Sequence, residues 1–223
     1  MTGKQHDPIA SVLLDLLFPP RCSFCGEILP FGQRQICAEC AKNLPYIEPD
    51  KILRKIGNHT CAVTFYYEGA IRTGIHTMKF LKHSTCAKSF APYLVRTVSE
   101  VFSGEFDTVT FVPISFQRRM KRGFDQTYLL ARHACALWDV RLAKTLYKVR
   151  NNPPQSTVKT AQERRRNVHN VFRIRPGASI AGRRFLLIDD ITTSGSTLAV
   201  CAELLMNAGA ASVVCAAFAG GHR

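Results

Sequence analysis

Four cysteines near the start of the chain have the spacing of a metal-binding motif. Cys22 and Cys25 form one C-x2-C pair, and Cys37 and Cys40 form a second pair after eleven intervening residues. Two such pairs can complete a tetrahedron of thiolates around Zn2+. The span 21–42 is too short to fold alone, so bound zinc would supply folding free energy on the order of 10 kcal/mol. Because four thiolates leave no coordination position open, we expect a structural zinc ion.

A second chemical signal is the sequence FLLIDDITTSGSTL at residues 185–198. Its first four residues are apolar, as in a strand buried on both faces, and the adjacent carboxylates of Asp189 and Asp190 follow them. A loop of small and hydroxyl-bearing residues then leads into a predicted helix. Ligands in open α/β sheets bind at the carboxyl ends of strands, which is where this loop is expected.

The residue types of this loop suit a ribose 5-phosphate. A helix N-terminus offers backbone N–H groups and a positive dipole end to a phosphate, and Gly195 permits close approach of the backbone. The carboxylates of Asp189 and Asp190 can accept hydrogen bonds from two ribose hydroxyls. Further hydrogen bonds to the phosphate would come from the hydroxyl groups of Thr193, Ser194, Ser196 and Thr197.

Other motifs of similar chemistry do not match. The chain has neither the G-x-x-x-x-G-K-[ST] of a Walker A loop nor a G-x-G-x-x-G after a strand. A phosphatase-type D-x-D-x-T motif fails because Ile191 stands where its second aspartate belongs. Two surface aspartates before a polar turn are the remaining alternative, but this does not explain the buried-type residues that lead into them.

Alternating strand and helix patterns surround the loop. Strands are predicted at 61–67, 107–113, 145–149, 185–189 and 212–218, and helices at 70–82, 87–102, 124–138 and 196–208. This alternation implies βαβ units and a mostly parallel sheet. We therefore predict an α/β domain over residues 61–223.

The first 60 residues have a different pattern. Asp7 and Pro8 suit the start of a helix that continues to about Phe18. The cysteine motif follows, and a segment rich in proline and glycine then has the composition of a linker. We predict an N-terminal helix, a zinc knuckle and a linker over residues 1–60.

Positive charge is concentrated in one part of the chain. The formal net charge is +14, and residues 117–175 carry fifteen basic against three acidic side chains. Such a field attracts polyanions, namely nucleic acid, pyrophosphate-bearing molecules or anionic lipid; a solvated basic face is the alternative. With aromatic residues interleaved, one cluster could follow a nucleic-acid backbone while rings stack on bases. Its cations are Arg118, Arg119, Lys121 and Arg122, and its rings are Phe116, Phe124 and Tyr128. Phe124 and Tyr128 lie four apart on a predicted helix, so positions in the core are the alternative for these two rings.

The overall composition is that of a soluble globular protein. Hydrophobic residues make up 46% and charged residues 21% of the chain, which excludes wholesale disorder. No uninterrupted apolar stretch reaches the roughly 18 residues of a transmembrane candidate, and Asp15 interrupts the apolar run near the N-terminus. Since a secretory signal is also not recognisable, we expect a cytoplasmic protein.

Four stretches of the sequence together resemble the ComF (competence protein F) family. They are LLFPPRCSFCG with the later CAEC, VPISFQRRMKRGFDQTYLLA, NPPQSTVKTAQERRRNVHNVF and FLLIDDITTSGSTL. They occur in the family's order and span nearly the whole chain. Departures are mild: Asp125 replaces the more usual Asn, and Ser194 and Ser196 replace Thr and Ala. The resemblance implies a type I phosphoribosyltransferase-like domain, with helices flanking a mostly parallel sheet, after a small zinc-binding subdomain.

The family resemblance also implies roles for individual residues. Asp189 and Asp190 would contact the ribose of 5-phosphoribosyl 1-diphosphate (PRPP), and residues 193–197 would hold its 5-phosphate. Mg2+ would bridge ribose and diphosphate oxygens, bound mainly by ligand and water. Residues 151–167 resemble the flexible loop that closes over PRPP, although a solvated helical turn is an alternative there. The implied pyrophosphate loop is Pro113, Ile114 and Ser115, and the implied diphosphate partners in the flexible loop are Arg164, Arg165 and Arg166.

Three functions stay open from the sequence. A ComF-like protein would bind PRPP and take part in the handling or uptake of single-stranded DNA with a DNA-uptake machinery. An enzyme would transfer the ribosyl group of PRPP to an unidentified nitrogen acceptor, although no hood for an acceptor base is recognisable. A regulator would bind PRPP without turning it over.

Overall fold

A six-stranded sheet forms the centre of the molecule. The structure is a computed structural model and describes residues 16–30, 32–33, 35–149 and 171–222. Across the sheet the strands are β1 (Leu53–Ile56), β2 (His59–Tyr66), β8 (Ser212–Gly220), β7 (Arg184–Thr192), β3 (Thr108–Phe111) and β4 (Arg141–Leu142). Every neighbouring pair is parallel except β1 with β2. The predicted α/β class with a mostly parallel sheet is therefore confirmed.

Helices cover both faces of this sheet. They are α1 (Ala38–Lys42), α2 (Gly69–Phe80), α3 (Cys86–Val101), α4 (Phe116–Arg122), α5 (Gln126–Trp138) and α6 (Ser196–Asn207), with a 3-10 turn at Pro49–Lys51. A separate antiparallel hairpin pairs β5 (Leu146–Lys148) with β6 (Phe172–Ile174). Within the described ranges, no helix is long and apolar enough to cross a membrane.

Strand β7 separates two apolar layers. Leu186 and Ile188 belong to the layer that includes residues of α2, α3 and α5, whereas Phe185 and Leu187 belong to the layer that includes residues of α6. Successive side chains of a strand point to opposite faces, so a strand buried on both sides needs the unbroken apolar run found here. This agrees with the prediction for residues 185–188.

Strand β7 ends later than the sequence predicts. Its parallel pairing with β8 continues to the pair Thr192 and Gly220, so Asp189 and Asp190 lie inside the strand instead of ending it. A strand pattern breaks at charged residues, but ladder hydrogen bonds do not depend on side-chain polarity. The predicted end at residue 189 is wrong by three residues.

The predicted linker contains strand β1. This strand turns back onto β2 through Gly57 and Asn58, and Gly57 has a φ of +60°. An edge strand with charged residues at its centre gives little apolar signal, which explains the difference. The boundary at residue 60 stays a prediction, and the predicted N-terminal helix lies mostly outside the described residues.

Candidate functional site

The four motif cysteines come together at one point. Their Sγ atoms all lie within 4.8 Å of one another, and the Sγ atoms of Cys25 and Cys37 are 3.7 Å apart. A tetrahedral site with Zn–S bonds of about 2.3 Å requires sulfur atoms about 3.8 Å apart. Burial opposes ionisation of Cys22, yet backbone N–H groups, among them that of Cys37, lower its pKa to about 7. Donor type and spacing therefore fit a zinc ion.

This knuckle is packed into the main core. Phe24 is fully buried, and its ring lies 5.0 Å from that of Phe90 on α3. The Oγ atoms of Ser23 and Ser89 form a buried hydrogen bond of 2.8 Å. On α2, a Cβ atom at Gly74 would lie 2.7 Å from the carbonyl oxygen of Ser23, so only glycine allows this approach. A metal here would stabilise the contact between the knuckle and the α/β domain.

The two aspartates of β7 are buried, and the cation of Lys79 acts on both of them. Asp190 forms an ion pair with Lys79 on α2, and its backbone N–H donates to Oδ1 of Asp189 at 2.8 Å. The charge of Asp189 acts on Lys148 of β5. Neither lysine is predicted as a site residue from the sequence, because neither belongs to a local motif.

Their surroundings give the two carboxyl groups opposite pKa shifts. Burial and the neighbouring charge of Asp190 raise the pKa of Asp189 well above its usual value. Burial would also raise the pKa of Asp190, but the ammonium of Lys79 lowers it below the usual value, and Arg122 contributes in the same direction. The two carboxyl groups therefore lose their protons at different pH values, which is the expected result when two carboxyl groups share a buried site.

The hydroxyl-rich loop joins β7 to α6 at the carboxyl edge of the sheet. Gly195 has a φ of +76° and caps α6. The Oγ atoms of Ser194 and Ser196 are 2.7 Å apart, whereas the buried Oγ1 of Thr192 has no hydrogen-bond partner in the described part of the chain. Thr193 and Ser194 are exposed. The loop thus presents hydroxyl groups and a helix N-terminus next to the aspartates.

The turn after β3 lies at the same edge and is held by Asp125. One carboxylate oxygen of Asp125 accepts from the N–H groups of Thr127 and Tyr128, each at 3.1 Å, and so caps α5. The other oxygen accepts from the N–H of Ile114 at 3.1 Å. Ser115 caps α4 with its hydroxyl group. Within the predicted pyrophosphate loop Pro113, Ile114 and Ser115, the backbone N–H of Ile114 therefore already donates its hydrogen bond to Asp125.

The basic cluster lies on α4, a helix that was not predicted from the sequence, where the predicted helix begins at residue 124. Arg118, Arg119 and Lys121 are exposed. Arg122 is half-buried and donates a hydrogen bond of 2.8 Å to Oε1 of Gln126. It also interacts electrostatically with Asp190. The cluster therefore divides into three surface cations and one half-buried cation that interacts with the charge of Asp190. The predicted flexible-loop residues Arg164, Arg165 and Arg166 lie outside the described residues.

Comparisons with known proteins agree with this architecture. Residues 119–223 match the family described as "Phosphoribosyl transferase domain", and residues 13–62 match "Double zinc ribbon domain". The chain is 30% identical over 202 residues to "DNA utilization protein YhgH" of Salmonella typhi, covering 86% of this chain and 80% of that protein. It is 26% identical to "Competence protein ComFC" of Bacillus subtilis, covering 86% and 74%, and 26% identical to "Competence protein F" of Haemophilus influenzae, covering 85% and 80%. The fold is that of a phosphoribosyltransferase domain preceded by a zinc ribbon.

Proposed function

This chain belongs to the ComF family of competence and DNA-utilization proteins, and on that premise we propose that it binds PRPP or a related ribose 5-phosphate and handles single-stranded DNA. The observation that carries the proposal is the buried pair Asp189 and Asp190 beside a hydroxyl-rich loop at a helix N-terminus. One half of this arrangement suits a diol and the other half suits a phosphate.

The aspartates would bind the two ribose hydroxyls. Asp190, ionised beside Lys79, accepts a hydrogen bond from one hydroxyl. Asp189 has a raised pKa, so it can accept as a carboxylate or donate as a carboxylic acid. Buried polar groups bind a ligand more strongly than exposed ones because little water competes with them.

The loop before α6 would bind the 5-phosphate. Backbone N–H groups at the first turn of α6 are oriented toward the loop, and the positive end of the helix dipole favours a dianion there. Ser194 and Ser196 add hydroxyl donors next to these amides. Lys79, which pairs with Asp190, would offset the charge of the ligand's diphosphate together with Arg122 and Lys148, which interact electrostatically with the aspartates.

The donor groups of this site also fit Mg2+. This ion takes one or two carboxylates and keeps oxygens of phosphate and water as its other ligands, and the pair Asp189 and Asp190 supplies two carboxylates. When bound, Mg2+ would neutralise charge on the diphosphate.

Nucleic-acid binding would use the exposed cations of α4. Arg118, Arg119 and Lys121 project from one short helix, and the fifteen basic residues of 117–175 far outnumber the acidic ones. The related proteins are named for competence and DNA utilization. These observations favour a phosphate backbone as the partner of this surface.

Thermal unfolding with PRPP and Mg2+ tests the ligand proposal. A ligand that binds only the folded state raises the melting temperature, and the double variant Asp189→Ala and Asp190→Ala should lose that rise. Asp107→Asn is the control, because Asp107 is a half-exposed carboxylate paired with Arg184 away from the loop. A double variant that is stabilised by PRPP as much as the parent would contradict the proposal.

Ribosyl transfer is the second candidate, and the match to a phosphoribosyl transferase domain favours it. In that reaction the bond between C1 of the ribose and the diphosphate oxygen breaks while a bond from C1 to an acceptor nitrogen forms. Release of diphosphate from PRPP, measured with and without single-stranded DNA, tests this candidate. Release that disappears in the double aspartate variant would establish an enzyme, whereas intact PRPP would favour a binding protein.

A further inference from the structure

A large cavity lies at the turn after β3 and is lined in part by Pro113 and Ile114 of the predicted pyrophosphate loop, but its aromatic wall is not explained by ribose or phosphate binding. Its volume is about 570 Å3, within the roughly 300–1,000 Å3 of small-molecule sites. It lies between the turn after β3, helices α4 and α5, and the β5–β6 hairpin. The hairpin is held there by an isolated parallel β-bridge between the backbones of Lys148 and Ser115. The hydroxyl groups of Thr145 and Thr110 add a buried hydrogen bond of 2.6 Å.

Aromatic rings form much of the wall of this cavity. Tyr128 packs against the buried Phe111 with ring centres 5.4 Å apart, and Phe124 is also partly buried against the core. The other two rings are more exposed: Phe116 on α4 by 63% and Tyr147 on β5 by 36%. Three of the five lining rings are therefore fixed by the core and two are accessible from solvent.

Cations share the wall with these rings. Lys144 has its Nζ atom 4.7 Å from the centre of the Tyr128 ring, and Arg119 lies 5.6 Å from the ring centre of Phe116. Lys148 and Arg175 also line the cavity. Against these four cations stands one carboxyl group, that of Asp125, whose oxygens accept backbone N–H groups. The cavity therefore combines apolar rings with a net positive charge.

We propose that this cavity binds one nucleotide, with its base against the aromatic rings and its phosphate on the cations. Bases of every kind have a π face that stacks on aromatic side chains, and cations beside the rings hold the adjacent phosphate. PRPP contains no base, so it would leave these rings unused. An acidic peptide would satisfy the cations but offers no flat ring as a regular feature.

The nucleotide is a free molecule or an unpaired nucleotide of a single strand. Binding of a nucleotide within a single strand rests on the proposed function, because the cavity would then be part of the surface that handles single-stranded DNA. The exposed cations of α4 would hold the neighbouring phosphates, because Arg119 lines the cavity while Arg118 and Lys121 extend the same helix.

The cavity also adjoins the proposed PRPP site. Pro113 and Ile114 of the predicted pyrophosphate loop line the cavity, and so does Lys148, on which the charge of Asp189 acts. Two anionic ligands at such neighbouring positions share cations, so we expect PRPP to weaken nucleotide binding.

Photo-crosslinking of the full chain tests the proposal directly. An oligothymidylate with a single 5-iododeoxyuridine, and separately thymidine 5′-monophosphate as a competitor, would be the probes. Irradiation followed by peptide mass spectrometry should place the cross-link on Phe116, Phe124, Tyr128 or Tyr147, and excess mononucleotide should reduce it. Cross-links confined to other parts of the chain would overturn the proposal.

Paired variants on helix α4 distinguish binding in the cavity from nonspecific electrostatic attraction of DNA to the helix. Phe116→Ala should weaken oligothymidylate binding by at least roughly fivefold, the lower limit for loss of one stacked base. Met120→Ala is its control, since Met120 is 68% exposed on the same helix but does not line the cavity. Arg119→Gln and Lys121→Gln remove the same charge, and the loss should be larger for Arg119. Equal effects within both pairs would overturn the proposal.

The outcomes also distinguish this inference from the proposed function. Strong, salt-dependent DNA binding that is unaffected by Phe116→Ala and Tyr147→Ala would overturn the cavity site and leave DNA handling in place. Binding of the mononucleotide without binding of DNA would support the cavity and contradict DNA handling. Binding of neither probe at low salt would overturn both.

Discussion

Lys79, at the end of α2, forms a buried ion pair with Asp190 in the central strand β7. The side chain of Lys79 is 16% exposed and that of Asp190 is 8% exposed. The pair connects a helix near the zinc knuckle with the strand that carries the aspartates. It explains why two adjacent carboxyl groups can be buried in one strand.

Removing the lysine should destabilise the fold. Lys79→Met leaves the buried charge of Asp190 without its partner, which costs about 3–5 kcal/mol in comparable pairs. The double variant Lys79→Met and Asp190→Asn should recover much of this loss, because neither charge remains. Chemical denaturation of both variants measures the effect, with Lys88→Met at an exposed position as the control. A single variant as stable as the parent would show that the ion pair is not important for the fold.

Replacing Asp189 should have the opposite effect on stability. Since the pKa of Asp189 is raised in the folded state, the unfolded chain loses this proton more readily, and folding becomes less favourable as pH rises above the unfolded value of about 3.9. Asp189→Asn removes this penalty. The variant should melt at a higher temperature than the parent at neutral pH, and the difference should disappear toward pH 4.

The same variant should lose ligand-induced stabilisation if Asp189 binds ribose. Melting curves at several pH values, each with and without PRPP and Mg2+, give both quantities in one experiment. A melting difference that stays constant across this pH range would contradict a raised pKa of Asp189.

Loss of the metal should separate the knuckle from the core. We expect one tightly bound zinc ion per chain, and Cys22→Ser should abolish it and make residues near the knuckle sensitive to proteases. Phe24 would then lose its buried position against Phe90. Cys135→Ser is the control, because Cys135 is buried elsewhere and does not belong to the cluster. Metal analysis that finds no zinc in the parent would rule out this role for the cysteines.

Single-stranded DNA should bind with a steep dependence on salt. Each phosphate contact contributes about 0.7 to the slope of log affinity against log salt for single strands. Changing Arg118, Arg119 and Lys121 to Glu should weaken binding across sequences and flatten the slope. Arg122 is left unchanged because it is half-buried and bonded to Gln126.

A charge-matched variant provides the control for this measurement. Lys42, Lys51 and Lys55 are exposed and lie outside α4, so changing them to Glu alters the net charge equally. A smaller effect of this variant would assign binding to α4, whereas equal effects would indicate attraction by net charge alone. PRPP should reduce the affinity for DNA if the two ligands share cations.

Features encoded by neighbouring residues could be predicted from the sequence. The spacing of Cys22, Cys25, Cys37 and Cys40 predicts a tetrahedral site, because short loops fix the distance between ligands of one ion. The apolar run before Asp189 likewise predicts a strand buried on both faces, since that pattern depends only on side-chain alternation along the strand.

Tertiary structure alone decided which distant residues meet these motifs. Lys79 precedes Asp190 by more than a hundred positions, and the two meet only because β7 takes a central place in the sheet and α2 packs against it. The aromatic cavity likewise draws on separate segments, α4, α5 and β5. Local patterns specify backbone conformation and short-range ligand geometry, whereas the order of strands and the packing of helices depend on long-range burial, which no single motif encodes.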